Sequence, residues 1–242
     1  DSSDSYPNYP YVTSVTIADS VTEIENYAFD ACYALKSVTI YSRNCKLPDW
    51  SSKQPFENCP SSMVFKCYRG STTAAFAKKK GFKISYIDPE PPKTVSLTSV
   101  KSGTNSIQAT WAKISNASGY EIQIATDTKF SKGRKTVTIG KQSTTSTTFS
   151  NLSSNQKYYI HARSYKNYTL GGKTSRSYSS WCSVKSINTK PNTPSLKSVS
   201  GSKKALKATW SKVSGVTGYE VQVATNSKFT SNKKTVTVGK QS

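Results

Sequence analysis

The sequence has few of the residues that carry acid–base or metal chemistry. Its 242 residues include a single histidine, His161, and 13 acidic residues, of which only three lie beyond residue 92. Two of these three, Glu121 and Asp127, are expected on the outside of a strand and in a turn. Hydrolysis by paired carboxylates needs both acids across one cleft, and one histidine falls short of the usual zinc sites. We therefore expect no enzymatic activity, no cofactor and no metal ion.

Paired cysteines and long apolar runs are missing too. The five cysteines form no CxxC pair, and four of them lie in the first 70 residues. They are Cys32, Cys45, Cys59, Cys67 and Cys182. So low a density argues against a disulfide scaffold. No apolar run approaches the ~20 residues of a membrane-spanning helix, and we expect no transmembrane segment.

Acidic residues are scarce in one part of the chain only. Residues 1–92 hold ten basic and ten acidic side chains, whereas residues 93–242 hold 24 basic and three acidic ones. The net charge of +21 therefore lies entirely on residues 93–242. A basic surface attracts polyanions such as nucleic acids, acidic glycans and cell-wall polymers, although a lysine-rich surface also serves simply to keep a protein soluble.

The basic part contains a tandem repeat. Residues 97–143 recur at 196–242 without a gap, 99 positions later, with 24 of 47 positions identical. Trp111 and Tyr120, for example, recur as Trp210 and Tyr219. Such a period indicates whole domains in tandem, because solenoid units recur at about 20 to 50 residues. The second copy stops halfway and the chain starts at Asp1 without an initiator Met, so we expect a piece of a longer protein.

The first copy has the alternation of half-buried strands. Its alternating apolar residues are Ile107, Ala109 and Trp111, then Tyr120, Ile122 and Ile124, then Tyr158, Ile160 and Ala162. Leu152 followed by Tyr158, ahead of YIHARSY, resembles the tyrosine corner of fibronectin type III domains. The resemblance covers residues 94–190 fully and 195–242 in part. It implies one complete β-sandwich and the first half of a second, which we expect not to be stable by itself.

The neutral part shows a shorter repeat. SVTI begins at Ser14 and again at Ser37, 23 residues later, and AFDAC at 28–32 is echoed by PFENC at 55–59. These residues resemble BspA-type leucine-rich repeats of bacterial surface proteins over about residues 11–88. The resemblance implies the C-terminal end of a solenoid, with Cys32 and Cys59 at equivalent places. We expect these thiols to be reduced and buried, with a disulfide or a metal site as the alternatives.

One helical turn and one capped helix are predicted in this part. Ile24, Ala28 and Phe29 have the spacing of one helical turn. In GSTTAAFAKKKGFKISYID, Ser71 or Thr72 is placed to cap a helix, lysines occupy its last turn and Gly81 ends it. A closing strand follows, and together they would form the C-terminal cap that a solenoid requires.

The sequence thus predicts a mainly β chain with a series of domains. The end of the leucine-rich-repeat domain with its capping helix occupies 1–88, and a proline-rich linker 89–93. The complete fibronectin type III domain occupies 94–190, a second linker 191–194, and the truncated domain 195–242.

The best candidate for ligand contact is a row of aromatic and basic side chains near residue 160. The row consists of Tyr159, His161, Arg163, Tyr165 and Tyr168. Aromatic rings beside basic groups stack sugars or bases. YSSWC at 178–182 resembles the Trp-Ser motif of cytokine-receptor fibronectin domains, and this resemblance makes Trp181 a stacking partner of Arg163. Ligand contact and a purely structural stack on a half-exposed sheet face both remain open.

The resemblances imply a non-catalytic adhesion or display segment of a secreted or cell-surface bacterial protein. Its repeats would bind a protein or glycan ligand, and its basic modules would act as spacers that contact an anionic cell-wall polymer. One alternative is an accessory region of an extracellular hydrolase whose catalytic domain lies elsewhere. Another is nucleic-acid binding, although we expect no specific nucleic-acid partner because the charge is spread over many strands and turns.

Overall fold

The computed structural model describes residues 9–48 and 54–239, which form 16 strands and one helix. The chain divides into two units. One comprises the described residues of Asp1–Glu90 together with Tyr168–Ser177, and the other comprises Pro91–Asn167 and the described residues from Tyr178 onward. Within the described ranges, no helix has the length and apolar character that crossing a membrane requires.

The first unit is built on a four-stranded parallel sheet. Its strands are β1 (Ser14–Ile17), β2 (Ser37–Ile40), β3 (Val64–Cys67) and β4 (Lys83–Tyr86), in that spatial order. The two SVTI segments pair in register, with Ser14 opposite Ser37. Every second residue points inward, so that Val15, Val38, Phe65 and Ile84 form one apolar row across the sheet.

Aromatic rings and cysteines fill the core beneath this sheet. Phe56 stacks on Phe29 with ring centroids 5.2 Å apart and meets Phe65 edge to face at 5.1 Å. Cys32 is fully buried, and the half-buried Cys59 thiol donates to the Phe29 carbonyl at 3.1 Å. Burial raises the pKa of the Cys59 thiol to about 11. These thiols therefore pack as small apolar side chains.

The helix α1 (Thr72–Lys79) forms where the sequence predicted it. The Ser71 hydroxyl accepts a hydrogen bond from the Ala74 backbone N–H at 3.1 Å, and lysines occupy the last turn. Gly81 follows with a φ of +77°, the left-handed conformation that ends many helices. The helical turn predicted from Ile24 to Phe29 is wrong. That segment forms hydrogen-bonded turns, with Tyr27 at a φ of 59°.

A two-sheet sandwich lies within residues 97–188. The first sheet has the order β5 (Leu97–Ser102), β6 (Ile107–Trp111), β9 (Ser146–Phe149). The second has the order β11 (Lys173–Tyr178), β10 (Lys157–Leu170), β7 (Gly119–Ala125), β8 (Lys135–Ile139), and β12 (Lys185–Asn188) also pairs with β10. β10 pairs antiparallel with β7 and β12, β7 with β8, and β6 with β5 and β9.

The apolar residues that alternate along the predicted strands form the core of this sandwich. Trp111 is 3% exposed and lies 5.3 Å from the ring of the fully buried Tyr120. The Tyr158 hydroxyl accepts a hydrogen bond from the Ser153 backbone N–H at 3.1 Å. This bond ties the start of β10 to the turn before it, which is the geometry of the tyrosine corner.

The repeat reproduces the first strands of the sandwich. β13 (Leu196–Ser202) pairs with β14 (Ala205–Trp210), and β15 (Tyr219–Val223) pairs with β16 (Lys234–Val238). Even the irregular register of β5 with β6 recurs between β13 and β14. The Trp210 and Tyr219 rings lie 5.4 Å apart, as in the first copy, but both are half-exposed.

Candidate functional site

Strand β10 brings four of the predicted ligand-contact residues to one face of its sheet. Tyr159, His161, Arg163 and Tyr165 alternate with inward-facing residues, because side chains along a strand point to opposite faces. In the sheet, β10 lies between β7 on one side and β11 and β12 on the other. Its pairing with β7 places Arg163 opposite Glu121.

The outer face of this sheet is closed by a stack of flat side chains, here called the ring stack: Phe130, His161, Trp181, Arg163 and Tyr178. The His161 ring lies between Phe130 at 3.6 Å and Trp181 at 3.9 Å, with interplanar angles of 4° and 9°. The Arg163 guanidinium carbon lies 4.3 Å from the Trp181 ring centroid and 3.8 Å from that of Tyr178. The predicted pairing of Arg163 with Trp181 is therefore confirmed.

A tight loop after β7 delivers Phe130 to the stack. The Asp127 carboxylate accepts hydrogen bonds from the backbone N–H groups of Ser131 at 3.0 Å and Lys132 at 2.8 Å. The bond from Lys132 first, and then one from the Ser131 hydroxyl, lower the pKa of Asp127. They hold the loop in a shape in which Phe130 has a φ of 53° and is only 6% exposed.

Backbone hydrogen bonds to β10 deliver Trp181. The Ser179 N–H donates to the Ser164 carbonyl and the Cys182 N–H to the Ala162 carbonyl, both at 2.9 Å. The segment 179–182 thus follows the edge of β10 between the regular strands β11 and β12. Trp181 is carried over the sheet by this local geometry rather than by a regular strand.

The charges within the ring stack are matched. Arg163 donates to Glu121 at 3.0 Å, and Glu121 is 8% exposed. Nε2 of His161 lies 3.0 Å from the side-chain oxygen of Gln123, so a neutral imidazole with its proton on Nε2 donates there. Burial, and then the neighbouring Arg163 charge, lower the pKa of His161 to about 4. The imidazole is therefore neutral at physiological pH.

The remaining predicted residues are not members of the ring stack, although the Tyr165 ring lies 5.8 Å from that of Tyr178. Tyr159 lies at the start of β10, where the Lys157 ammonium is 5.4 Å from its ring centroid. Tyr165 is 1% exposed, and its hydroxyl donates to the Ile139 carbonyl at 3.1 Å. Tyr168 belongs to the first unit, where its hydroxyl accepts from Nη2 of Arg43 at 3.3 Å. The residues of the predicted row thus lie in four different environments, because His161 and Arg163 share the ring stack and the three tyrosines each lie elsewhere.

Sequence reasoning missed three members of this site. Phe130 could have been found from the loop that both copies share, TDTKF and TNSKF, which keeps the aromatic residue. Tyr178 is three residues before Trp181, the spacing that places both rings beside one arginine. Glu121 is one of three acidic residues beyond residue 92 and therefore the obvious partner for a buried arginine.

The ring stack stabilises a surface rather than forming a pocket. Both faces of the His161 ring and both faces of the Arg163 guanidinium are covered by other rings. Cation–π contacts of this kind are worth about 0.5 to 2 kcal/mol each. A sugar or base cannot stack on these faces without displacing a ring that is already there.

Several solved structures resemble this chain over less than half of its length. A β-sandwich protein redesigned by computer matches at 21% identity and a TM-score of 0.31, covering 43% of this chain and 97% of that one. The third fibronectin III domain of the human KIAA0343 protein matches at 15% identity and 0.33, covering 44% and 89%. The chicken CNTN1 FN1-FN3 domains match at 22% identity and 0.31, covering 45% and 33%.

None of the curated proteins compared with this chain matches it. The model of the fibronectin type III domain matches residues 90–180. That range contains both sheets up to β11, the buried Trp111 and the tyrosine corner of Tyr158. Residues 90–180 of this chain therefore belong to the fibronectin type III family.

Proposed function

We propose that this chain is a non-catalytic display and adhesion segment of a secreted or cell-surface bacterial protein. In this proposal the parallel-sheet unit is the end of a BspA-type leucine-rich-repeat solenoid with α1 as its cap, and it presents a binding face. The fibronectin type III modules act as basic spacers that contact anionic cell-surface polymers. The observation that carries it is the fibronectin type III sandwich whose outer sheet face is closed by the ring stack.

The closed face favours a spacer over a ligand pocket. A spacer needs a rigid module with a satisfied surface, and the ring stack supplies such a surface. The only histidine of the chain is held neutral between two rings, which makes it unsuitable as a general base near pH 7.

The distribution of charge supports contact with polyanions. The loop between β7 and β8 carries Lys129, Lys132 and Arg134, all exposed, and the repeat carries Lys228 and Lys233 in the corresponding loop. Tandem modules with the same basic loop bind an extended polyanion at several points, so that weak contacts add through avidity. The counterions that they release make such binding depend on salt.

The test is binding of the chain to a wall teichoic acid or to heparin across a range of salt concentrations. We expect affinity to fall about tenfold or more between 50 and 200 mM NaCl. The double substitution Lys129→Gln and Arg134→Gln should reduce affinity and the salt dependence. The matched double substitution Lys66→Gln and Lys83→Gln, on exposed residues of the neutral part, should leave both nearly unchanged. Retention that does not respond to salt would exclude the polyanion proposal.

A further inference from the structure

Two arginines and two tyrosines lie together where the parallel strands of the first unit end. Arg43 follows β2, Tyr68 and Arg69 follow β3, and Tyr86 ends β4. The carboxyl ends of parallel strands share one edge of the sheet, so these side chains meet there. With Asp88 they are here called the Arg–Tyr cluster.

Each arginine of the cluster lies over a tyrosine ring. The guanidinium carbon of Arg43 is 4.0 Å from the Tyr68 ring centroid, and that of Arg69 is 4.2 Å from the Tyr86 centroid. Nη1 of Arg43 also points to the Arg69 carbonyl at 3.5 Å. A guanidinium held over a ring has one face covered, and its N–H groups lie in its own plane.

Arg69 has no acceptor for these N–H groups. Its backbone N–H donates to Asp88 at 2.7 Å, but among the described residues its guanidinium makes no hydrogen bond, and its Nε is buried without a partner. Arg163 also has a buried Nε without a partner, but its Nη2 donates to Glu121 at 3.0 Å, and Nη2 of Arg43 lies 3.9 Å from Asp88. The Nη groups of Arg69 are not among the buried atoms, so they remain available to an acceptor from outside the chain.

The chemistry of the cluster selects the kind of acceptor. A planar carboxylate fits the N–H groups of a fixed guanidinium through two parallel hydrogen bonds. The buried Asp88 carboxylate cancels one of the two arginine charges, so the cluster carries one net positive charge and suits a monoanion better than a phosphate dianion. Tyr86, 42% exposed, adds an apolar ring and a hydroxyl beside the donors. A sugar ring offers matching apolar and hydroxyl faces.

We propose that the Arg–Tyr cluster binds the carboxylate of an acidic sugar, with Arg69 as the residue that pairs with it. This site goes beyond the proposed function, because it lies in the part of the chain with balanced charge and does not use the basic modules. It predicts selective binding of single uronate units, whereas the basic modules bind by total charge.

The test is a calorimetric titration of the full chain with tetragalacturonate in about 0.3 M NaCl, where the screening length is only about 6 Å. We expect binding to the unmodified chain, and a loss of roughly tenfold or more in affinity for Arg69→Gln. Arg69→Lys keeps the charge but not the planar donors and should also weaken binding. Arg134→Gln removes one exposed arginine of the basic modules and should bind as the unmodified chain does. Equal loss in Arg134→Gln and Arg69→Gln would overturn the site.

Two further measurements separate the possible outcomes. The neutral tetragalactose should not bind, and a tetraglutamate peptide that binds as well as tetragalacturonate would overturn the assignment to a sugar. If thermal melting shows that Arg69→Gln is unfolded, the Arg69 Nε–H resonance of the unmodified chain decides. A shift of that resonance on adding tetragalacturonate supports the site, and no shift overturns it. These results do not depend on whether the basic modules bind polyanions, so the two proposals can fail separately.

Discussion

His161 is an imidazole in a position that disfavours its charge. It lies between two rings, is 8% exposed, and is followed two residues later by the Arg163 guanidinium. Each of these features favours the neutral form, since burial removes water and Arg163 repels a second cation. From the sequence, His161 is the best candidate for an acid or base in this chain. In this fold its neutral ring instead fills the space between two other rings.

The lowered pKa predicts a loss of stability in mild acid. The unfolded chain takes up a proton on His161 below about pH 6.5, whereas the folded chain does so only near pH 4. The stability present above pH 6.5 is therefore lost as the pH falls toward 4, by about 1 to 2 kcal/mol at pH 5. Urea unfolding at pH 5 and pH 7.5 measures it. His161→Phe keeps a ring in the stack and should remove this part of the pH dependence. An unchanged pH profile in that variant would contradict the interpretation.

The loop that carries Phe130 shows how one element acts differently in the two copies. The repeat keeps the same loop, with Asn226 accepting from the N–H groups of Thr230 and Ser231, and Phe229 has a φ of 51°. Yet Phe229 is 46% exposed, whereas Phe130 is 6% exposed. The loop shape is local, and the environment of its aromatic ring depends on the strand that faces it.

This difference provides a matched pair of substitutions. Phe130→Ala should destabilise the first sandwich by about 3 kcal/mol, because it removes a buried ring from the ring stack. Phe229→Ala removes the same atoms from an exposed position and should cost less than about 1 kcal/mol. Chemical denaturation followed by Trp fluorescence measures both. Similar losses for the two substitutions would show that Phe130 does not depend on the stack.

The cysteines of the parallel-sheet unit should react slowly while the chain is folded. Burial raises the pKa of Cys59 to about 11 and also raises the pKa of Cys32, Cys45 and Cys67. At pH 8 the Cys59 thiolate is then about a hundredfold scarcer than for a free thiol, and alkylation slows accordingly. Mass spectrometry after iodoacetamide treatment, with and without denaturant, measures the rates. A linked pair of these cysteines under non-reducing denaturation would show instead a disulfide-stapled unit.

The strands and the helix could be predicted from the sequence better than the turns and the side-chain contacts around them. The helix from Thr72 and the strands around Trp111, Tyr120 and Tyr158 were predictable, because capping residues and apolar alternation are local signals. The turn at Tyr27 was not, since its backbone N–H donates to the carbonyl of Gln54, a residue distant in sequence. The ring stack was predicted only through Arg163 and Trp181. Phe130 comes from a loop more than 30 residues away, which periodicity does not reveal.

Across the whole molecule, equivalent positions of the repeat have very different exposure. Leu97 and Ile107 are 5% and 0% exposed, whereas their counterparts Leu196 and Leu206 are 63% and 61% exposed. In the first copy these side chains are covered by the core that β9, β10 and β12 complete. Covering one such side chain is worth about 1.5 to 3 kcal/mol, so the repeat within this chain lacks much of what stabilises the first copy.

Limited proteolysis of the 242-residue chain should therefore cut beyond about Pro194 first. Open edges at β14 and β15 also favour association through that part. Digestion of the monomeric fraction, followed by mass spectrometry, locates the cuts. Residues 94–190 act as the internal control in the same sample. Equal protection of residues 195–242 and residues 94–190 would contradict this prediction.

The near identity of β7 and β15 also bears on how the chain folds. Their sequences, GYEIQIA and YEVQV, differ only by exchanges of isoleucine for valine over the shared positions. During folding, β10 therefore meets two strands with almost the same pattern of inward and outward residues, and only one of them is its partner. Adjacent domains this similar misassemble by exchanging strands. Refolding will be fastest when β7 and β10 pair before β15 is free to compete, so the order in which the strands become available governs the yield of correctly folded chain.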